Sequence, residues 1–472
     1  MTYSKLKNIK TIHMIGIGGI SMSAIALMLK NDGFTITGSD QSRGDMIDTL
    51  EKAGITIFIG SDAEAVSNAD LIIYTAAIKQ HDPEFVKAKE LKKEMYERAT
   101  FLGMLMENYE KSICIAGTHG KTTTTSMVAS CFLDADLNPT IQVGAKLKKI
   151  DNLNYHIGGS KYFILEACEY VDSFLNFPHQ TAVILNIDAD HLDYFNSIAD
   201  IRASFKKFIM MLPKKGVLII NSDDPNCKIV LEELKKDLEK KEITIYTFGM
   251  KDKNATFYGY KATLTGEGTY TFTARNNITS VETEIKLGAP GTHNIYNALS
   301  VMATCFAHNI NESVAAHSLL EFSGASRRFE YKKTIKDNVR IFDDYAHHPT
   351  EIKATLEAAK NKAIGKVIAI FQPHTFSRTR ELLKEFSEAF YDADYTIITD
   401  IYAAREIDDG SVSSVMLVKK LEENNINAHY ISSFEDIVKY VTEIAEPNDI
   451  VLTIGAGTIT KLGNMFCKED EE

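Results

Sequence analysis

Short apolar runs recur along the chain, each followed by a stretch of helical periodicity. The segment 11–17 (TIHMIGI) reads as a buried strand and 21–31 as a helix. Strands at 34–39, 55–59 and 70–75 follow, with a helix at 46–52. Apolar strands alternating with helices predict a parallel sheet covered on both faces. The charged stretch 83–109 reads as helical and leads out of this first unit.

The pattern restarts at Lys111. Strands at 112–116, 162–166, 181–187 and 216–221 surround a helix at 121–133. The Thr-rich alternation over 243–286 predicts antiparallel strands, and 293–308 a helix. A third restart brings strands at 340–343, 366–371, 395–399, 428–431 and 449–454. The fold class is therefore α/β in three successive units, 1–108, 109–322 and 323–472; the acidic tail KEDEE reads as a solvated end.

Composition adds exclusions. The 472 residues are 44% apolar and 25% charged, a normal globular balance, with 64 acidic against 52 basic residues and a formal charge of −12. Such a chain would be repelled by nucleic-acid phosphates, so nucleic acid is not expected as a partner. Cys114, Cys131, Cys168, Cys227, Cys305 and Cys467 are scattered, without the close spacing of a disulfide framework or zinc site, which points to a reducing, cytoplasmic setting. The uncharged stretch 14–29 follows three lysines as a signal peptide would, but glycines and serines dilute it and it is shorter than a bilayer span. No membrane association is expected.

The chemistry concentrates at strand ends. AGTHGKTTTT (116–125) lies between a strand and a helix, where backbone N–H groups and the helix N-terminus can cradle phosphates. Ile115 stands where the longer GxxxxGK[ST] pattern has its first glycine, so this is the shorter GTxGKT form. Gly117, Thr118, His119, Gly120, Lys121, Thr122 and Thr123 form the candidate nucleotide loop, with Lys121 exposed and reaching the phosphates and Thr122 presenting a hydroxyl to Mg²⁺. GIGGIS (16–21) is a near miss for the dinucleotide fingerprint: Gly16, Gly18, Gly19 and Ser21 form the turn, and Asp40 ends the second strand as a ribose-binding acid. Glu166 in ILEACEY and His191 in DADHLD (188–193) close neighbouring strands and are candidate cation ligands. FDDYAHHP (342–349) and FQPHTFSRTR (371–380) end what read as adjacent strands, and Arg327–Arg328 could reach a phosphate across a cleft.

GIGGISMS, GTHGKTTTT, ILEACEY, DADHLD, GTHNIYNA, SRRFE, DDYAHHP and FQPHTFSRTR occur in the order found in the Mur ligases of peptidoglycan synthesis, and the chain resembles this family, in particular its alanine-adding members, over nearly its whole length. The resemblance implies a Rossmann-like UDP-sugar domain, a central P-loop ATPase-type domain and a Rossmann-like C-terminal domain that binds the amino acid. It implies ATP-dependent joining of L-alanine to the lactyl carboxylate of UDP-N-acetylmuramate through an acyl phosphate, by a monomer or homodimer. It gives Mg²⁺ to Thr122, Glu166 and His191, adenine to Asn294, phosphate to Arg328, ribose to Asp344 and the L-alanine pocket to Tyr345, His347, His374 and Arg378. The GIGGIS turn takes the UDP diphosphate. Lys206 is the position for the carbamylated lysine that some members carry, and Thr375 replaces an arginine of some relatives. An NAD-dependent oxidoreductase built on GIGGIS leaves the phosphate loop unexplained; a non-catalytic nucleotide switch leaves the C-terminal clusters unexplained. A recycling ligase that attaches a tripeptide is the alternative within the family.

Overall fold

The computed structural model describes residues 6–191, 194–266, 268–404 and 406–468. Leu192 and Asp193 of DADHLD and residues 469–472 of the acidic tail lie outside them. Three sheets follow one another along the chain.

The first comprises β1 (Thr11–Ile15), β2 (Thr35–Asp40), β3 (Thr56–Ile59), β4 (Leu71–Tyr74) and β5 (Glu94–Glu97), all parallel in the order β3-β2-β1-β4-β5. β5 corrects the expectation of a continuous helix over 83–109: helices Pro83–Glu90 and Arg98–Met106 flank it. Its sequence, EMYE, suits a sheet edge, where charge discourages further pairing. The stretch 14–29 forms part of β1, a glycine turn and the helix Ile20–Asn31. Among the described residues no helix is long and apolar enough to cross a membrane.

The second sheet holds β6 (Lys111–Ala116), β7 (Thr140–Leu147), β8 (Leu153–His156), β9 (Tyr162–Glu166), β10 (Thr181–Ile184), β11 (Val217–Asn221), β12 (Thr244–Gly249), β13 (Phe257–Leu264), β14 (Tyr270–Asn276) and β15 (Val281–Lys286). Their order is β15-β14-β13-β12-β11-β10-β6-β9-β7-β8. β6 lies between β9 and β10, both parallel to it, so the segments after these strands open at one edge of the sheet. The Thr-rich region is antiparallel only from β13 onward; β12 runs parallel to β11 and continues the buried sheet.

The third sheet contains β16 (Glu330–Ile335), β17 (Val339–Asp344), β18 (Val367–Phe371), β19 (Tyr395–Ile398), β20 (Ala428–Tyr430) and β21 (Ile450–Ile454), ordered β16-β17-β21-β18-β19-β20. β17 and β18 are not adjacent, as their sequence suggested: the last strand inserts between them. Both still run parallel to β21, so the clusters that follow them emerge on the same side.

Packing separates the units unequally. One apolar core holds Ile12 and Leu27 of the first unit, Phe101 and Leu105 of the connecting helix, and Phe163, Phe205 and Phe208 of the second. The third unit keeps its own cores, around Phe371 and Phe390 on one face of its sheet and Ile368 and Leu462 on the other. It meets the second through polar groups, the kind of interface across which domains move. Phe208 stacks on Phe174 with ring centroids 4.5 Å apart and an angle of 5°, and Phe205 meets Phe174 edge-on at 5.3 Å. Phe208→Ala is expected to cost about 3–5 kcal/mol by opening a cavity in this shared core; an unchanged denaturation midpoint would contradict that.

Candidate active site

The loop after β6 follows a path that glycine permits. Gly117 and Gly120 have φ of +146° and +82°, and a Cβ on them would lie 2.9 Å from Leu185 Cβ and 2.8 Å from Asn297 Oδ1. Helix Lys121–Asp134 starts immediately afterwards. Lys121 is not the exposed lysine that the sequence suggested. Its Nζ donates to Gly117 O (2.6 Å), Thr118 O (3.0 Å) and Glu169 Oε2 (3.0 Å), and Glu169 is 2% exposed. Burial works against the ammonium, but the Glu169 charge outweighs it and holds the lysine above its ordinary value.

Thr122 is the meeting point of two domains. Its hydroxyl donates to Glu166 Oε1 at 2.8 Å, and Arg328 Nη2 reaches the same hydroxyl at 3.2 Å from the C-terminal unit. Glu166 Oε2 accepts from Gly144 N–H at 2.6 Å. A hydroxyl and a carboxylate form the hard oxygen set that Mg²⁺ prefers. Arg327, next in sequence to Arg328, stays within its own unit on Asp343 (3.2 Å). His191 has a left-handed backbone (φ 54°) and its ring lies 4.6 Å from that of Tyr170, with Nε2 3.8 Å from Asp190 Oδ2.

Between the central and C-terminal units lies a cavity of about 560 Å³, lined among others by Thr123, Asn294, Asn297, Arg328 and Asp344. Asn294 is pinned: its amide donates to Pro290 O (2.6 Å), and its Oδ1 accepts from Asn297 (2.9 Å). Asp344 lines the cavity, but its two oxygens also accept from Phe329 N–H and Ala346 N–H, each at 2.7 Å. Burial pushes its carboxyl up to about 6, against the pull of Arg328.

His119 ties the loop to both walls. Its Nε2 is 3.2 Å from Asp188 Oδ2 and its Nδ1 3.3 Å from Glu351 Oε1. Burial disfavours the imidazolium, yet the two carboxylates outweigh it and raise the ring to about 9; the same contact, first among its causes, holds Asp188 down to about 2. Ligand atoms of His119, Asp188 and His348 lie within 4.8 Å of one another, a spacing that could suit a metal. Both His348 nitrogens are occupied, however: Nε2 faces Ala189 O at 3.1 Å and Nδ1 accepts from Thr350 N–H at 3.3 Å, capping its helix. Hydrogen bonding therefore accounts for this cluster.

The amino-acid cluster assembles across β21. The ring of His347 is 5.4 Å from that of Tyr345 and 6.0 Å from that of His374, and Arg378 Nη1 is 3.3 Å from His374 Nδ1. Tyr345 also faces the guanidiniums of Arg327 and Arg328, at 4.8 and 5.1 Å. Arg378 Nη2 pairs with buried Asp190 at 3.0 Å, so a carboxylate of the central unit already holds one edge of that guanidinium. Burial opposes the Asp190 charge, but His191 and Arg378 hold its carboxyl far below the ordinary range.

At the N-terminal turn, Ser39 O accepts from Gly16 N–H (2.8 Å) and Ile17 N–H (3.0 Å). Asp40 Oδ2 accepts from Gly18 N–H at 2.9 Å, which occupies one donor assigned to a diphosphate. Gly19 precedes the helix Ile20–Asn31 as its N-cap. The Ser21 hydroxyl accepts from Gln142 (2.6 Å) and Arg98 (3.2 Å), placing it in the seam with the central unit.

Lys206 is not brought to the site. Its ammonium sits 2.8 Å from Glu233 on the neighbouring helix Pro225–Lys240, an exposed cation-carboxylate pair in which an anionic carbamate would be repelled. Sequence reasoning missed Glu169, Asp188, Asp190, Asn297 and Glu351. Asn297 could have been found, since it lies three residues after Asn294 on one helix face; Glu169, Asp188 and Asp190 lie within ILEACEY and DADHLD, and of these residues only Glu351 falls outside the sequence motifs.

Comparison with known proteins gives a consistent result. Residues 11–110 match the model described as "Mur ligase family, catalytic domain", 115–305 the "Mur ligase middle domain" and 327–457 "Mur ligase, glutamate ligase domain". The chain is 45% identical to a UDP-N-acetylmuramate–L-alanine ligase of Acetivibrio thermocellus over 98% of its own length and 96% of the relative's. It is 44% identical to the enzyme of that name from Clostridium tetani, over 99% and 100%. A crystal structure of the UDP-N-acetylmuramate–alanine ligase of Thermotoga maritima superposes with a TM-score of 0.82 at 27% identity, covering 98% of this chain and 99% of that one. A murein peptide ligase of Psychrobacter arcticus shares the fold, with a TM-score of 0.70 at 24% identity over 97% and 98%.

The His119 clamp has a defined pH signature. Because the folded value, about 9, exceeds the ordinary 6.5, its stabilisation is complete below pH 6.5 and lost as pH rises through 9. The melting-temperature gap between wild type and His119→Gln should be wider at pH 7 than at pH 10; a constant gap would contradict the clamp.

Proposed function

Because this chain belongs to the Mur ligase family, we propose that it joins L-alanine to the lactyl carboxylate of UDP-N-acetylmuramate at the expense of ATP, in the cytoplasm. The observation that carries the reading is the Thr122 hydroxyl, met by Glu166 from the central sheet and Arg328 from the C-terminal unit. Cys114, Cys131, Cys168, Cys227 and Cys305 are unpaired, in keeping with a reducing compartment.

A carboxylate is a poor electrophile, so it must first be activated. The lactyl carboxylate oxygen attacks the γ-phosphorus of ATP, the bond to the β-phosphate oxygen breaks, and an acyl phosphate and ADP result. The amine of L-alanine then attacks the acyl carbon and loses a proton, and inorganic phosphate leaves with the original carboxylate oxygen. Such phosphoryl transfer depends on positioning and charge neutralisation. ATP would lie in the interdomain cavity, its adenine near pinned Asn294 and Asn297, its ribose near Asp344 and its phosphates on the loop Gly117–Thr123. Lys121, turned here onto Gly117 O and Thr118 O, would exchange those carbonyls for phosphate oxygens while Glu169 keeps it charged. Arg328 would stabilise the transferring group from the other domain. Thr122 and Glu166 would hold Mg²⁺, with His191 serving a second ion; when bound, such ions neutralise phosphate charge. Arg378, held on one edge by Asp190, would grip the L-alanine carboxylate beside Tyr345, His347 and His374. The turn of Gly16, Gly18 and Gly19 would face the UDP moiety, with Ser21 and Asp40 bracing it.

The test is phosphate release from ATP in the presence of UDP-N-acetylmuramate, adding each amino acid and the tripeptide in turn. Release dependent on L-alanine supports the reading; release with the tripeptide alone would overturn it. Lys121→Met should lower the rate about 10²–10³-fold, and should also destabilise the fold by about 3–5 kcal/mol, because Glu169 is left buried without its cation. Adding Glu169→Gln to that variant should restore the melting temperature but not the rate. Arg378→Ala should raise the KM for L-alanine more than that for ATP; equal effects would remove Arg378 from the pocket.

A further inference from the structure

Glu351 lies on the helix Pro349–Lys362, in the first turn, and its two carboxylate oxygens face different sites. Oε1 is 3.3 Å from Nδ1 of His119, a residue of the phosphate loop. Oε2 accepts from the backbone N–H of His347 at 3.1 Å and lies 3.3 Å from that ring's Nδ1, in the amino-acid cluster. The side chain is 15% exposed, and the pair with His119 crosses the domain interface. One carboxylate thus touches the loop that would carry ATP and the histidine that would line the L-alanine pocket.

We infer that Glu351 is a positioning residue that couples nucleotide binding to assembly of the L-alanine pocket. This rests on the ligase reading above. When the loop orders around phosphates, His119 fixes Oε1, and the carboxylate then holds His347 by its backbone N–H, while the ring's Nδ1 faces Tyr345 O at 3.1 Å. When the C-terminal unit swings away, the contact to His119 is lost, and His347 loses its anchor to the loop. The two oxygens divide these tasks, so a group with only one acceptor oxygen cannot perform both. Binding at one site then changes affinity at the other by a reciprocal factor.

The test is steady-state ligation by the full chain, with the KM for L-alanine measured at saturating ATP and at ATP well below its own KM. In the wild type, lowering ATP should raise the KM for L-alanine severalfold. In Glu351→Gln that KM should be raised about tenfold at saturating ATP and should no longer respond to ATP. His119→Asn removes the other end of the bridge outside the L-alanine pocket; because His119 belongs to the phosphate loop, its KM for ATP is measured first and ATP is set relative to that value, and the response of the L-alanine KM should then be abolished. The double variant should lose no more of that response than Glu351→Gln does, as for residues acting as one unit. Should Glu351→Gln fail to fold, His119→Asn decides the matter. A response to ATP preserved in His119→Asn or Glu351→Gln overturns the coupling while leaving the ligase reading intact. A wild-type chain that releases phosphate without ligating L-alanine overturns the ligase reading, and the coupling with it.

Discussion

A buried charge must have a partner, and for several charges of this cleft a partner sits on a different domain. Asp190 of the central unit holds Arg378 of the C-terminal unit, and His119 of the phosphate loop holds Glu351. Arg328 crosses in the same direction to the Thr122 hydroxyl. The closed arrangement is therefore written in charges rather than in apolar area. The seam between the first two units is the reverse: a continuous apolar core with Phe101, Phe163 and Phe208 in it. A molecule built this way has one joint that is set and one that can respond to ligands, which suits chemistry in which reactants must be gathered before water is excluded.

The strand order explains why so much of the site was legible. β6 carries the phosphate loop, and its parallel neighbours are β9, ending in Glu166, and β10, leading to Asp188–His191. In a parallel sheet the carboxyl ends of neighbouring strands open into a common crevice, so three motifs far apart in sequence had to converge. The C-terminal clusters met for the same reason even though β21 intervenes, since β17, β21 and β18 all run the same way.

What escaped the sequence depends on orientation and docking. Lys206 follows His191 at a suggestive interval, but its helix buries Ile201, Ser204, Phe205, Phe208 and Ile209, and that face directs Lys206 outward to Glu233. Lys121 looked like a free loop cation because Glu169, which neutralises it, lies forty-eight residues away. Glu351 belongs to an ordinary helix N-terminus by pattern; its importance appears only when the C-terminal unit rests on the central one. The edge strand β5 was hidden by its own glutamates. Asp40 carried the expected acid, yet the structure places it on Gly18 N–H rather than leaving that donor open.

The central claim is that the loop ending in Lys121 and Thr122 delivers the γ-phosphoryl group of ATP to an acid on a sugar nucleotide. The most direct measurement uses UDP-N-acetylmuramate labelled with ¹⁸O in both lactyl carboxylate oxygens, with mass analysis of the phosphate released during ligation of L-alanine. The account requires one labelled oxygen in each inorganic phosphate formed. Phosphate free of label would mean that ATP is hydrolysed by water or activates a different group, and would contradict the account.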